Sequence, residues 1–226
     1  MLDAKQVRVR ILVHEGSVDL CRLLIKTAVA TGNDPHSWEF LSTDGATVAG
    51  LRGQSFDFGG DHPRPVNLAV RKAFEEMHYQ RQPLLLLDAD CTVLRPRLIE
   101  ELVYQLNIGG GCALLNAQFA SKLRRQGDGK FEEHDRWGWT ATTGLGLYLP
   151  DVWDRLAEHF SGMDYSRPWD EWMGSLLFPD MLVPVQGVRQ FPIADARSLD
   201  IVGRDAYLHH GCKDGSLQRL VIESKQ

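Results

Sequence analysis

Leu84 to Leu87 form an unbroken apolar run that stops on Asp88-Ala89-Asp90. Four consecutive leucines leave a strand no polar face to turn to water. Such a strand needs cover on both sides, as in a parallel sheet layered by helices. The rest of the first half agrees. "VRVRILVHEG" (7–16) reads as a first, buried strand. "VDLCRLLIKTAVATG" follows, with Leu20, Leu23, Leu24 and Ala28 at helical spacing and Gly32 as its stop. "SWEFLSTDG" (37–45) reads as a second strand and "LRGQSFDFGGDHP" (51–63) as a polar loop. "RPVNLAVRKAFEEM" (64–77) is an amphipathic helix with Pro65 suited to its first turn. "PLLLLDAD" (83–90) is the third strand and "RPRLIEELVYQL" (95–106) the helix after it. Strand–helix repeated three times predicts an α/β fold with a parallel sheet.

The second half is less regular. "GCALLNAQF" (111–119) and the glycine-rich "TTGLGLYLP" (142–150) read as strands, separated by a charged excursion over 120–139. "DVWDRLAEHF" and "RPWDEWMGSLL" read as helices, and "MLVPVQGVRQFP" (181–192) as an edge or bent strand because of its proline. No linker or repeat interrupts the chain, so residues 1–226 are expected to fold as one unit, with 1–110 and 111–226 as its halves. A net charge of −5 does not suggest a general polyanion binder. Cys21, Cys91, Cys112 and Cys212 form no Cys-x-x-Cys pair, which argues against a zinc knuckle and for reduced thiols in a cytoplasmic protein. No run approaches the roughly 20 apolar residues of a membrane span, and "MLDAKQVRVR" lacks the apolar core of a signal peptide.

In open α/β sheets, ligands bind beyond the carboxyl ends of the strands. Asp88 and Asp90 fall there and, two residues apart on an extended chain, point the same way about 7 Å apart. Paired carboxylates so placed reach one divalent cation, and Mg²⁺ or Mn²⁺ takes such ligands together with substrate phosphates. Near the other end, "YLHHGCKDGSL" crowds His209, His210 and Lys213 among glycines. Imidazole suits Mn²⁺, lysine suits a phosphate oxygen, and Gly211 and Gly215 could supply hinges. Trp137 and Trp139 set aromatic faces, which can stack on a sugar ring or a base, before a glycine-rich strand whose glycines would leave room for such a ring. Asp170 and Glu171 lie between tryptophans at a helix opening, a position that acids favour. Lys122, Arg124, Arg125 and Lys130 form a basic cluster that would suit a phosphate-bearing acceptor such as nucleic acid.

"LLLLDADCTVLRPRLIEEL" resembles the DXD segment of nucleotide-sugar glycosyltransferases with the A-type fold. That resemblance implies a Rossmann-like, mixed but mostly parallel central sheet with helices on both faces. It implies Mn²⁺ or Mg²⁺ held by Asp88 and Asp90, with His209 or His210 as third ligand, gripping a nucleotide diphosphate sugar, in expectation a UDP-sugar. Lys213 would meet a phosphate. His14, Glu15 and Asp44 would line the base and ribose, and Arg64 and Asn67 would touch the nucleotide or sugar. Asp170 or Glu171 would take the proton from an acceptor hydroxyl. The late histidine resembles the His-x-x-Gly-x-x-Lys of the glycogenin-like branch, though the spacing here is shorter. Two other readings stay open. "LLLLDADCTVL" also fits a haloacid-dehalogenase-type phosphatase with Asp88 as nucleophile and Asp90 as general acid. A nucleotide-sugar-binding module would keep the metal site without a working base.

Overall fold

The computed structural model describes residues 1–125, 131–161, 169, 176–177 and 181–225; within 115–125 and 131–145 it describes the backbone. The first half runs β1 (Arg8–Val13), α1 (Val18–Ala30), β2 (Glu39–Ser42), β3 (Arg52–Ser55), α2 (Arg64–Gln80), β4 (Leu84–Asp88), β5 (Cys91–Val93) and α3 (Leu98–Gly109). The second half adds β6 (Ala113–Arg125), β7 (Phe131–Tyr148), α4 (Trp153–Ser161), β8 (Leu182–Pro184), β9 (Val188–Gln190), β10 (Leu208–His210) and α5 (Ser216–Glu223).

Seven strands form one sheet in the order β3-β2-β1-β4-β7-β6-β8. β3, β2, β1 and β4 are mutually parallel, whereas β7 runs antiparallel to both β4 and β6. The sheet is therefore mixed. The chain lays β2 and β3 on one side of β1 and β4 on the other, so the strand order reverses between β1 and β4. That reversal opens a crevice at the carboxyl ends of these two strands.

The leucine run explains why β4 is central. Leu85 and Leu87 join Val9, Ile11 and Val13 of β1 under α1 and α3, against Cys21, Leu24, Leu98 and Leu102. Leu84 and Leu86 join Leu12 and Leu41 under α2 and α4, against Val70, Phe74, Leu156 and Phe160. One strand thus supplies two cores, because successive side chains leave opposite faces of a sheet. Burying each leucine contributes roughly 1.5–3 kcal/mol.

Arg10 is the exception on this buried surface. It is 1% exposed on β1, with Nε 3.0 Å from Glu39 and Nη2 2.8 Å from Glu76. Burial, then the neighbouring Arg8, lowers its pKa, while the two glutamates oppose this. Removing the cation leaves two part-buried carboxylates sharing only Arg8. Arg10→Ala is expected to lower the unfolding free energy by about 3 kcal/mol, the lower end for breaking a buried ion pair. Denaturant unfolding measures this; a change within about 0.5 kcal/mol, typical of a surface site, contradicts it.

A second sheet, in the order β5-β10-β9, positions the C-terminal segment. β5 begins right after Asp90 and pairs antiparallel with β10, setting His210 opposite Cys91 and His209 opposite Thr92. The segment read as loop over 51–63 contains β3, an exposed edge strand whose polar residues gave no alternation to read. The excursion read over 120–139 is largely strand. β6 and β7 stay paired from Ala117↔Ala141 to Arg125↔Phe131, with a register shift between Ser121 and Leu123. Among the described residues, no helix is long and apolar enough to cross a membrane.

Candidate metal and nucleotide site

Asp88 is the last residue of β4, at the crevice where the strand order reverses. Asp90 follows in the tight step from β4 to β5. His210 closes the group from β10. Its Nε2 lies 3.4 Å from Asp88 Oδ2 and 3.0 Å from Asp90 Oδ1, with side chains 12%, 26% and 13% exposed in the order His210, Asp88, Asp90. One ligand atom from each of the three residues fits within a 4.8 Å span. Two carboxylate oxygens and one imidazole nitrogen form a donor set that suits Mn²⁺ and tolerates Mg²⁺.

The electrostatics match this geometry. Burial alone would lower the pKa of His210, but the hydrogen bonds it donates to Asp88 and Asp90, and their charges, outweigh it and raise it to about 9. Burial would raise Asp90, but the hydrogen bond and charge of His210, then the charge of Lys213, hold it below the usual carboxylate range. Without a cation, His210 itself is the positive charge between the aspartates. Its pKa of about 9 in the folded chain exceeds the unfolded value of about 6.5. Its contribution to stability is therefore complete below about pH 6.5 and is lost as pH rises towards about 9. The metal-free wild type is expected to lose more thermal stability across that window than His210→Gln, as scanning calorimetry would show. Parallel curves contradict the pairing. A cation must displace this proton, so its affinity should rise across the same window.

The structure separates the two histidines. His209 is fully buried, and its Nε2 donates to the Phe191 carbonyl at 2.9 Å. Burial lowers its pKa. Strand alternation sends the two rings to opposite faces of β10, so His209 stands outside the cluster and His210 within it. Lys213 is exposed, and its charge reaches Asp90. Gly211 and Gly215, read from sequence as hinges, are explained by packing. Both have positive φ, and a Cβ would stand 2.7 Å from the Phe191 carbonyl oxygen at Gly211 and 2.7 Å from Leu23 at Gly215. The segment is further tied by Asp214, which accepts from the backbone N–H groups of Asp195 (2.7 Å) and Ser216 (3.0 Å).

His14 and Glu15 are exposed where β1 ends, and the Glu15 N–H donates to Asp44 Oδ2 at 2.8 Å. The turns after β1 and β2 are thereby joined at the same edge as Asp88. Arg64 is exposed at the start of α2. Asn67 is fully buried, and its Oδ1 accepts from the Trp169 backbone N–H at 3.0 Å. It thus acts as a tie between α2 and the residue before Asp170, a contact with no sequence signature. Asp170, Glu171 and Lys130 lie outside the described residues. Gly146, in the strand expected to leave room for a sugar, is covered by Tyr148, whose ring a Cβ there would strike. Lys122, Arg124 and Arg125 fall on β6, where the register sets Glu132 opposite Arg124 and Glu133 opposite Leu123. Among the described residues nothing supports a nucleic-acid partner. All four cysteines are free, and burial raises each thiol, Cys21 to about 12.

A scan of protein-family models finds no match, and no curated protein sequence matches the chain. Solved structures do. The galactosyltransferase LgtC in complex with donor and acceptor sugar analogs aligns with a TM-score of 0.55 at 14% identity, over 96% of this chain and 95% of that one. Mouse xyloside xylosyltransferase 1 aligns with a TM-score of 0.52 at 11% identity, over 91% and 97%. The bifunctional glycosyltransferase WbbM aligns with a TM-score of 0.59 at 11% identity, over 90% of this chain but only 45% of its own. At these identities the likeness is one of fold: the chain has the A-type glycosyltransferase fold.

Proposed function

We propose that the protein is a metal-dependent glycosyltransferase that moves a sugar from a nucleotide diphosphate sugar, a UDP-sugar in the first instance, to a hydroxyl acceptor. The observation that carries this reading is the Asp88–Asp90–His210 cluster at the crevice of an A-type fold. Asp88, Asp90 and His210 would hold Mn²⁺ or Mg²⁺. Such a cation, when bound, offsets the charge that develops on the departing nucleoside diphosphate. Lys213 brings a further positive charge to the phosphates. Glu15 and Asp44, joined at the ends of β1 and β2, would line the nucleoside end with His14, and Arg64, at the start of α2, would touch the nucleotide or sugar. Asp170 or Glu171 accepts the proton of the acceptor hydroxyl while its oxygen bonds to the anomeric carbon and the sugar–phosphate bond breaks. On this reading residues 1–110 bind the donor and 111–226 add the acceptor side and the third metal ligand.

The phosphatase reading gains no such support. It would require Asp88 as a free nucleophile, whereas here Asp88 and Asp90 share the His210 ring. A panel of nucleotide sugars with Mn²⁺, read by thermal shift and nucleotide release, separates the classes. The proposal expects one donor to stabilise the protein and release nucleoside diphosphate in the presence of an acceptor. Phosphate release from a phosphomonoester would favour the phosphatase, and binding without release the non-catalytic module.

A further inference from the structure

Away from the crevice, α1 and α5 lie side by side and leave a groove of about 440 Å³, lined by Ile25, Lys26, Val29, Ala30, Ile222 and Lys225. Gly215, where α5 begins, packs against Leu20 and Leu23 of α1. The two helices therefore run the same way, and their C-terminal ends meet at the groove. α1 starts just after the carboxyl end of β1, and Lys26 to Ala30 lie roughly 12–18 Å further along its axis than Val18. The groove is thus separate from the Asp88–Asp90–His210 cluster. Four of its six side chains are apolar, and Val29 is 60% exposed, so this surface is left to water. Lys26 and Lys225 are exposed, and among the described residues neither has an ion pair. The neighbouring cations are already committed. Arg22 pairs with Asp19 at 2.8 Å, and Arg219 donates to the Asp214 carbonyl at 3.0 Å. Glu223 follows Ile222 on α5, and adjacent helical residues point about 100° apart.

Size and charge select the occupant. A stable protein partner needs about 20–30 residues on each side, far more than this groove offers. Its volume falls instead within the roughly 300–1,000 Å³ of small-molecule pockets. Apolar walls favour a hydrocarbon, which gains by leaving water. The two ammonium groups favour an anionic end, which lysine meets as a point charge. The lysine stems extend the apolar wall while their charged ends stay in water. The whole chain carries a net charge of −5, so an anion is drawn here by these two lysines and not by the general field. We propose that the groove binds a single-chain anionic amphiphile. Its hydrocarbon chain lies along Ile25, Val29, Ala30 and Ile222, and its head group lies between Lys26 and Lys225. This site stands apart from the donor and its cation.

Methyl-resolved NMR of the full chain, titrated with sodium dodecanoate below its critical micelle concentration and without Mn²⁺, tests this. The methyl groups of Ile25, Val29 and Ile222 are expected to shift together and to saturate at one molecule per chain. Dodecyltrimethylammonium has the same hydrocarbon chain and the opposite charge. It should bind roughly tenfold more weakly, as two attractive charge pairs become repulsive. Lys26→Gln/Lys225→Gln changes only exposed side chains and should bring the two probes to similar affinity. Val29→Glu, also at an exposed position, sets a carboxylate in the groove and should weaken dodecanoate binding. Scattered or non-saturating shifts in the wild type overturn the site. A preference for dodecanoate that survives in the glutamine variant overturns the role of the two lysines. Flotation of the protein with phosphatidylglycerol vesicles, without saturable dodecanoate binding, would assign the surface to a membrane and contradict the proposal.

Discussion

Asp90→Asn is expected to bind Mn²⁺ at least about 100-fold more weakly than the wild type and to lose nearly all sugar transfer, with its fold intact. Groups that only orient a metal ligand are worth about 10–100-fold in affinity, so a direct carboxylate ligand should exceed that range. The amide keeps the shape of Asp90 and removes the charge that sits 3.0 Å from His210 Nε2. The same change should lower the pKa of His210 from about 9, since one of its two carboxylate partners is gone. Mn²⁺ titration, near-ultraviolet circular dichroism and a histidine titration read the three effects separately. Wild-type Mn²⁺ affinity in a folded Asp90→Asn would remove Asp90 from the cation site.

One of Asp170→Asn and Glu171→Gln is expected to lose roughly 10²-fold or more in turnover, the usual scale for a general base, while donor affinity barely changes. Adjacent residues on a helix point about 100° apart. The helical reading of 167–177, whose end at Leu176 and Leu177 is helix in the structure, therefore lets only one of the acids face the acceptor. Asn67 holds Trp169 immediately before them, so Asn67→Ala should reduce turnover by misplacing that segment. Wild-type turnover in both acid variants would show that the acceptor proton leaves by another route and that the acidic pair only opens a helix.

How far the sequence carried the fold is clearest at β4. Four leucines with no polar face, bounded by Pro83 and Asp88, suited a central strand, and the alternation of strand and helix around them made the α/β architecture readable. The second sheet was not legible. β5, β9 and β10 are three-residue strands, too short for a period of two to register, and their pairing joins residues 91–93 to 208–210 across most of the chain. That pairing decides which histidine meets the aspartates. Side by side in sequence, His209 and His210 look equivalent, and only the strand places one ring in the core and the other at the cluster. The glycines of the tail show a related limit. Composition reveals a glycine but not what lies against it, and at Gly211 a carbonyl oxygen of Phe191 takes the space a side chain would need.

Calorimetric titration of UDP into the wild-type protein, once with Mn²⁺ and once with a chelator, tests the central claim most directly. If Asp88, Asp90 and His210 form a cation site that grips a nucleoside diphosphate, binding should be measurable with Mn²⁺ and absent with the chelator. Adding Mn²⁺ to the metal-free protein should itself release a proton near neutral pH as His210 gives up its charge to the metal. Equal UDP affinity in the two titrations, or no binding in either, would contradict a metal-bridged donor site at the end of β4.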